Sequence, residues 1–180
     1  MPSAFSNPRD QQARAAQGGE IVVDPATQRL IESNAETRWG QFLRTWECLA
    51  AAKGRCPSRS EIDPAALGGR LLPNIFLVDV VAVPGRPHPR FRFRLLGQTI
   101  LDRETTRPGD YLDALGASAE IAKIERHYLA CMDGKISVRS ASLVWSDVRK
   151  DYLKYSVLML PLSDDGVGVT HLIGLALYEF

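Results

Sequence analysis

Apolar residues recur at steps of three and four over Ile31, Ala35, Trp39, Phe42, Leu43, Trp46, Leu49 and Ala50, which places them on one face of a helix. Arg38, Gln41, Arg44 and Glu47 lie away from the centre of that face. The stretch opens at Asp24-Pro25, with Asp24 as the cap and Pro25 as the first helical residue, and Gly54 stops it. Ser33 and Glu36 carry a second start signal, a capping box. The stripe is therefore one long helix or two with a break near Ser33. Residues 20–54 are read as an N-terminal amphipathic helix, and residues 1–19, which are polar, small and aperiodic, as a disordered tail.

The period then changes. Asp63-Pro64 caps a short helix running to Leu67, and Leu71-Leu72-Pro73 ends it. Ile75–Val81 is a β-branched run. Phe91-Arg92-Phe93-Arg94-Leu95 alternates apolar and polar residues, the signature of a strand with one polar face. Thr99–Pro108 holds a helical turn, and Ser118–Asp133 is a helix with Ile121, Ile124, Tyr128 and Met132 on one face. Ile136–Trp145, Tyr152–Leu162 and Thr170–Phe180 are strands, the last two joined by the turn signal Asp164-Asp165-Gly166. Two strands, a helical middle and three hairpin-linked strands predict an α+β fold. Its antiparallel sheet is covered on one face, and the apolar last strand is central or paired.

Composition narrows the function classes. The chain has 180 residues, 45% apolar and 24% charged, with 22 Lys+Arg against 21 Asp+Glu and a formal charge of +1. That balance lacks the basic bias of a dedicated nucleic-acid binder. No apolar run approaches the roughly 20 residues a bilayer span needs, and Met1–Gln17 has no signal-peptide core. The expectation is a cytoplasmic protein without nucleic-acid or membrane partners. Cys48, Cys56 and Cys131 are scattered and form no CxxC, and are read as reduced thiols.

The order of elements resembles that of a PAS domain. A narrower resemblance rests on Trp46, on Pro57-Ser58-Arg59-Ser60-Glu61-Ile62-Asp63-Pro64, and on Leu72-Pro73-Asn74-Ile75-Phe76-Leu77. Phe91-Arg92-Phe93-Arg94-Leu95-Leu96-Gly97 and Leu160-Pro161-Leu162-Ser163-Asp164-Asp165-Gly166 complete it. In that order these blocks resemble a bacterial family of single-domain PAS-like proteins, typical of the α-proteobacteria and of largely unknown function. The resemblance runs from about Ala35 to Phe180 and implies a PAS-like domain over residues 55–180, with five antiparallel strands and an N-terminal helical extension. The chain departs from the family at Glu104–Tyr111, where a Gly-Asp-x-Thr-Gly stretch is usual, and at Val157, where an Arg is common.

Catalytic signatures are missing: there is no G-x-S-x-G, HExxH, SxxK or P-loop, and the chain is read as a non-enzyme. His127 and Cys131 lie four apart on a helix, a spacing that can share a metal, but no further ligands accompany them and no metal is assigned. No cysteine has the neighbours of the flavin-adduct motif of light-sensing PAS domains. Asp164 and Asp165 are read as turn formers, Arg92 and Arg94 as solvent-facing, and Arg59 as a local structural residue.

The leading functional reading is a sensory or regulatory module that binds a small, mostly apolar ligand and signals through a protein partner. Its candidate lining residues are Phe91, Phe93, Leu95, Ile124, Tyr128, Cys131, Tyr155, Val157, Met159 and Leu175; no cofactor is identified. The alternative is a ligand-free adaptor whose core is filled by its own side chains; a pocket of about 300 Å³ separates the two. A third, an isomerase-like enzyme, needs an Asp, Glu or Tyr buried in the cavity; Tyr128 and Tyr155 are open to that role, and Asp79 is the one carboxylate on an apolar face. The Trp39, Phe42 and Trp46 stripe must be buried, either over the open face of the sheet or in a homodimer.

Overall fold

The computed structural model describes residues 37–116, 119–133, 137–144 and 152–179. The chain forms helix α1 (Arg38–Lys53), a 3₁₀ turn at Arg59–Glu61, α2 (Pro64–Leu67) and a 3₁₀ turn at Leu72–Asn74. Strands β1 (Ile75–Val81) and β2 (Arg90–Leu96) follow. Then come α3 (Gln98–Leu101), a 3₁₀ turn at Leu112–Ala114, α4 (Ala119–Met132), and strands β3 (Ser137–Val144), β4 (Tyr152–Leu162) and β5 (His171–Glu179). The predicted strands agree with these to within a residue or two. The expected tail, and the expected helix before Thr37, lie outside the described residues.

All strands join one antiparallel sheet in the order β2-β1-β5-β4-β3. The last strand is central, bonded to β1 from Ile75↔Leu175 to Asp79↔His171 and to β4 along its other edge. Its apolar sequence follows, because a central strand covered on both faces has no solvent side to mark with polar residues.

Both faces are covered, α4 lying on one and α1 on the other, which is one of the two places open to the aromatic stripe from its sequence. On the inner face, α4 and the turn at Leu112 bury Phe76, Val78, Phe91, Phe93, Tyr155, Val157 and Ala176. Gly174 sits on that face, where any β-carbon would run into the Phe76 ring and lie 2.8 Å from Met159 Sδ. On the outer face, α1 lays Trp39, Phe42, Leu43 and Trp46 against Ile75, Leu158, Leu160, Leu162, Ile173 and Leu175. Trp46 is 1% exposed and its Nε1 donates to Pro161 O at 2.8 Å. The N-terminal helix thus packs onto the sheet and shares its core. The three aromatic rings are buried within one chain.

The Pro57–Pro64 block ties α1 to the β4–β5 hairpin. Ser58 and Glu61 form a capping box, and Arg55 grips Glu61 through both carboxylate oxygens at 2.8 and 3.1 Å. Ser163 N donates to Pro57 O, and Arg59 N donates to Asp164 Oδ1 at 2.8 Å. Asp63 accepts from Ala65 N and starts α2, as its sequence predicts. Asp165 accepts from Val167 N and Gly168 N, the turn-forming role expected of it.

Candidate functional site

Helix α4 repeats apolar residues at helical spacing and lays that face across the inner sheet face. Between them remains a partly open cavity of about 70 Å³. Five predicted lining residues meet there: Phe93, Ile124, Tyr128, Tyr155 and Val157. Phe91 stands behind them, its ring edge-on to Tyr128 at 5.2 Å, and faces an outer cleft instead. Cys131 and Met159 are fully buried in the same apolar layer without bordering the cavity, and burial pushes the Cys131 thiol far up.

Two candidates are misplaced by sequence reading. Leu95 is 49% exposed on the outer face. Val78 pairs with Phe93 and Leu77 with Leu95, so Arg94 is an extra residue, a β-bulge that shifts the alternation by one. Leu96 takes the inward place expected of Leu95. Leu175 points outward into the layer under α1, while Leu172, Ala176 and Tyr178 point inward. β5 is apolar on both faces, so its alternation carries no parity signal.

The cavity also has polar edges that the strand and helix patterns did not reveal. Glu104, Thr106 and His127 border it, with Phe76, Leu96, Ile100, Leu112, Leu115 and Ala176 among its apolar walls. Thr106 and His127 are 6% and 9% exposed, and His127 Nε2 is buried. The spacing Ile124, His127, Tyr128, Cys131 is itself an i, i+3, i+4, i+7 set, so helical periodicity could have placed His127 at the cavity. Glu104 and Thr106 lie in the segment where the chain departs from the family pattern, and a loop has no periodicity to read. Tyr178 Oη donates to Glu104 Oε1 at 2.8 Å; burial and this carboxylate both push the phenol up.

Asp79 is not the cavity's acid. It is buried on the outer face, where Arg92 donates to it at 2.6 and 3.1 Å and Arg94 at 3.2 and 3.3 Å. These arginines are therefore ion-pair donors, not simply solvated side chains. Burial works to raise the Asp79 carboxyl, but the two guanidinium groups outweigh it and hold the carboxyl below its usual range. His171 Nε2 lies 3.4 Å from the same carboxylate, and burial lowers the imidazole's pKa against the pull of Asp164 and Asp79.

A second space opens at the β2 edge, a cleft of about 420 Å³. Phe91, Leu112 and Ile121 contribute apolar surface to it, and Arg86, His88, Arg90, Asp113 and Glu125 border it. Leu112 separates this cleft from the smaller cavity, since it borders both. Arg90 holds Asp113 in two parallel bonds, at 2.7 and 2.8 Å, and stacks 3.8 Å over the Tyr111 ring. Among the described residues no group of three or more His, Cys, Asp or Glu side chains could hold a metal, and no helix is long and apolar enough to cross a membrane.

The sequence matches the family model described as a PAS domain over residues 35–177. No curated protein matches it. Among solved structures the chain is similar to a fungal LOV-domain photoreceptor, at 15% sequence identity and a TM-score of 0.37, over 74% of this chain and 90% of that one.

Proposed function

Because this chain belongs to the PAS domain family, we propose that it is a regulatory module that works through a protein partner and keeps its interior filled by its own side chains. The observation that carries this reading is the size of the cavity. Ligand pockets begin near 300 Å³, so a cavity of about 70 Å³ falls well short of one. Native mass spectrometry of the protein as purified tests it. The bare polypeptide mass, alone or with a bound protein, is expected, and a retained small molecule overturns the reading.

A sensor of a small, mostly apolar molecule is the second reading, favoured by the polar edge of half-buried Glu104 and buried Thr106 and His127 on an otherwise apolar cavity. A ligand there would set its apolar body against Phe93 and Val157 and one polar end toward that edge. Ile124→Trp separates the two. In a filled core the added ring overpacks and costs about 1–3 kcal/mol. In a core that opens for a ligand the variant stays folded and loses the ligand-induced rise in melting temperature seen in the parent.

A further inference from the structure

The arginines of β2 and its preceding loop outnumber the carboxylates that hold them. Arg86 and Arg90 share Asp113, at 3.1 and 2.7 Å. Arg92 and Arg94 share Asp79, at 2.6 and 3.2 Å. Four guanidinium groups thus meet two carboxylates, and all four side chains are a third to a half exposed. The nearby acid Asp110 and the base Arg107 belong to one turn, closed by the bond from Arg107 N to Asp110 Oδ2, and their opposite charges cancel in the count. Glu125, across the cleft, leaves the sector with a cationic surplus. A guanidinium has five donors, so each retains N–H groups beyond those its carboxylate uses.

The same sector has an apolar recess. The 420 Å³ cleft begins at Arg86 and Arg90 and reaches down to Phe91 and Leu112, each 2% exposed. It has the volume to seat a large side chain, in contrast to the smaller cavity. Leu95 adds exposed apolar surface beside Arg94. An apolar anchor pocket rimmed by arginine is the form of a protein-docking hot spot.

We propose that this β2-edge surface docks an acidic segment of a partner protein, its carboxylates meeting the arginine row while one large apolar side chain fills the cleft. Arg90 and Arg92 stand about 7 Å apart along the strand, the repeat of carboxylates on every second residue of an extended segment. The pairing takes up the surplus charge, and Leu112, at the floor of the cleft, also borders the smaller cavity. The inference rests on the reading of the chain as a partner-directed regulatory module, and names the surface that the partner would use.

The test titrates the full chain with a short synthetic peptide that alternates Glu and Ser around one central Phe, followed by backbone amide NMR. Saturable shifts at residues 86–95 and at Asp113, weakening as salt screens the charges, are expected. Arg86→Gln with Arg94→Gln leaves one guanidinium on each carboxylate, so the fold persists, and should weaken binding by about tenfold. Replacing the peptide's Phe by Ser should abolish the shifts at Phe91. Absence of saturable binding overturns the proposal, as do shifts centred elsewhere or full affinity in the double variant. Tighter binding of duplex DNA or of anionic phospholipid vesicles at the same residues also overturns it, and assigns the surface to that polyanion. The mass spectrum that tests the filled-core reading does not depend on these arginines, so either result can fail alone.

Discussion

Replacing Trp46 with alanine tests how α1 is held. The ring is 1% exposed, lies among Leu158, Leu160, Leu162, Ile173 and Leu175, and donates one hydrogen bond to Pro161 O at 2.8 Å. Truncating a fully buried tryptophan costs about 3–5 kcal/mol when the site does not collapse. Losing the hydrogen bond adds little beyond that range, because Pro161 O keeps a contact with Cys56 Sγ at 3.1 Å. In a domain of this size each kcal/mol lowers the melting temperature by roughly 2–4 °C, so a fall of about 6–20 °C is expected. Trp46→Phe keeps most of the apolar contact and should lose about 1–2 kcal/mol. Differential scanning calorimetry at two protein concentrations provides the measurement, and the fall should not depend on concentration. Unchanged melting accompanied by loss of a dimer would refute the placement of the ring inside one chain.

Gly174→Ala should destabilise by about 1–3 kcal/mol in urea unfolding, since the added methyl meets the Phe76 ring and Met159; a neutral result would mean that β5 can shift there at no cost. Glu61 accepts from Ser58 N, its strongest influence, and from Arg55, which together lower its pKa to about 2. A depressed carboxyl stabilises above its unfolded pKa and loses that effect as pH falls through the folded one. The gap in melting temperature between the parent and Glu61→Gln should therefore close between pH 4.5 and about pH 2, and a gap constant over that window would exclude the linkage. Ile124→Trp should lower stability without any ligand-dependent recovery, measured by thermal melting with and without cell metabolites.

The strands and the turns were legible because alternation and turn residues are local signals, and the unbroken apolar run of β5 marked a strand with no solvent face. Asp63-Pro64 and Asp164-Asp165-Gly166 each specify their own geometry. Leu95 was misread because a bulge inserts one residue without changing the local alternation, and only the partner strand reveals it. Leu175 was misread for a different reason: burial on both faces erases the polar mark that would give its direction. The apolar stripe of α1 announced that it must be buried, while its choice of the outer sheet face depends on β4 and β5, more than a hundred residues away. Glu104 and Thr106 reach the cavity from a loop whose path no period encodes, and the β2-edge cleft exists only once Arg86, Leu112 and Ile121 are assembled.

The sheet order has a consequence for synthesis. β1 pairs with β5, joining Ile75 to Leu175, and α1 buries its rings on β4 and β5. Neither contact can form until the C-terminal strands have been made. At 5–20 residues per second, about 130 residues separate the appearance of Trp46 from that of Glu179, a delay of roughly 7–27 s. Throughout it the Trp39, Phe42 and Trp46 stripe has no sheet to cover. Contacts this distant in sequence also slow refolding, because the loop must close before any of them stabilises the chain. The nascent protein thus exposes its most adhesive surface well before the strands that cover it are made, which gives a holding chaperone time to engage it.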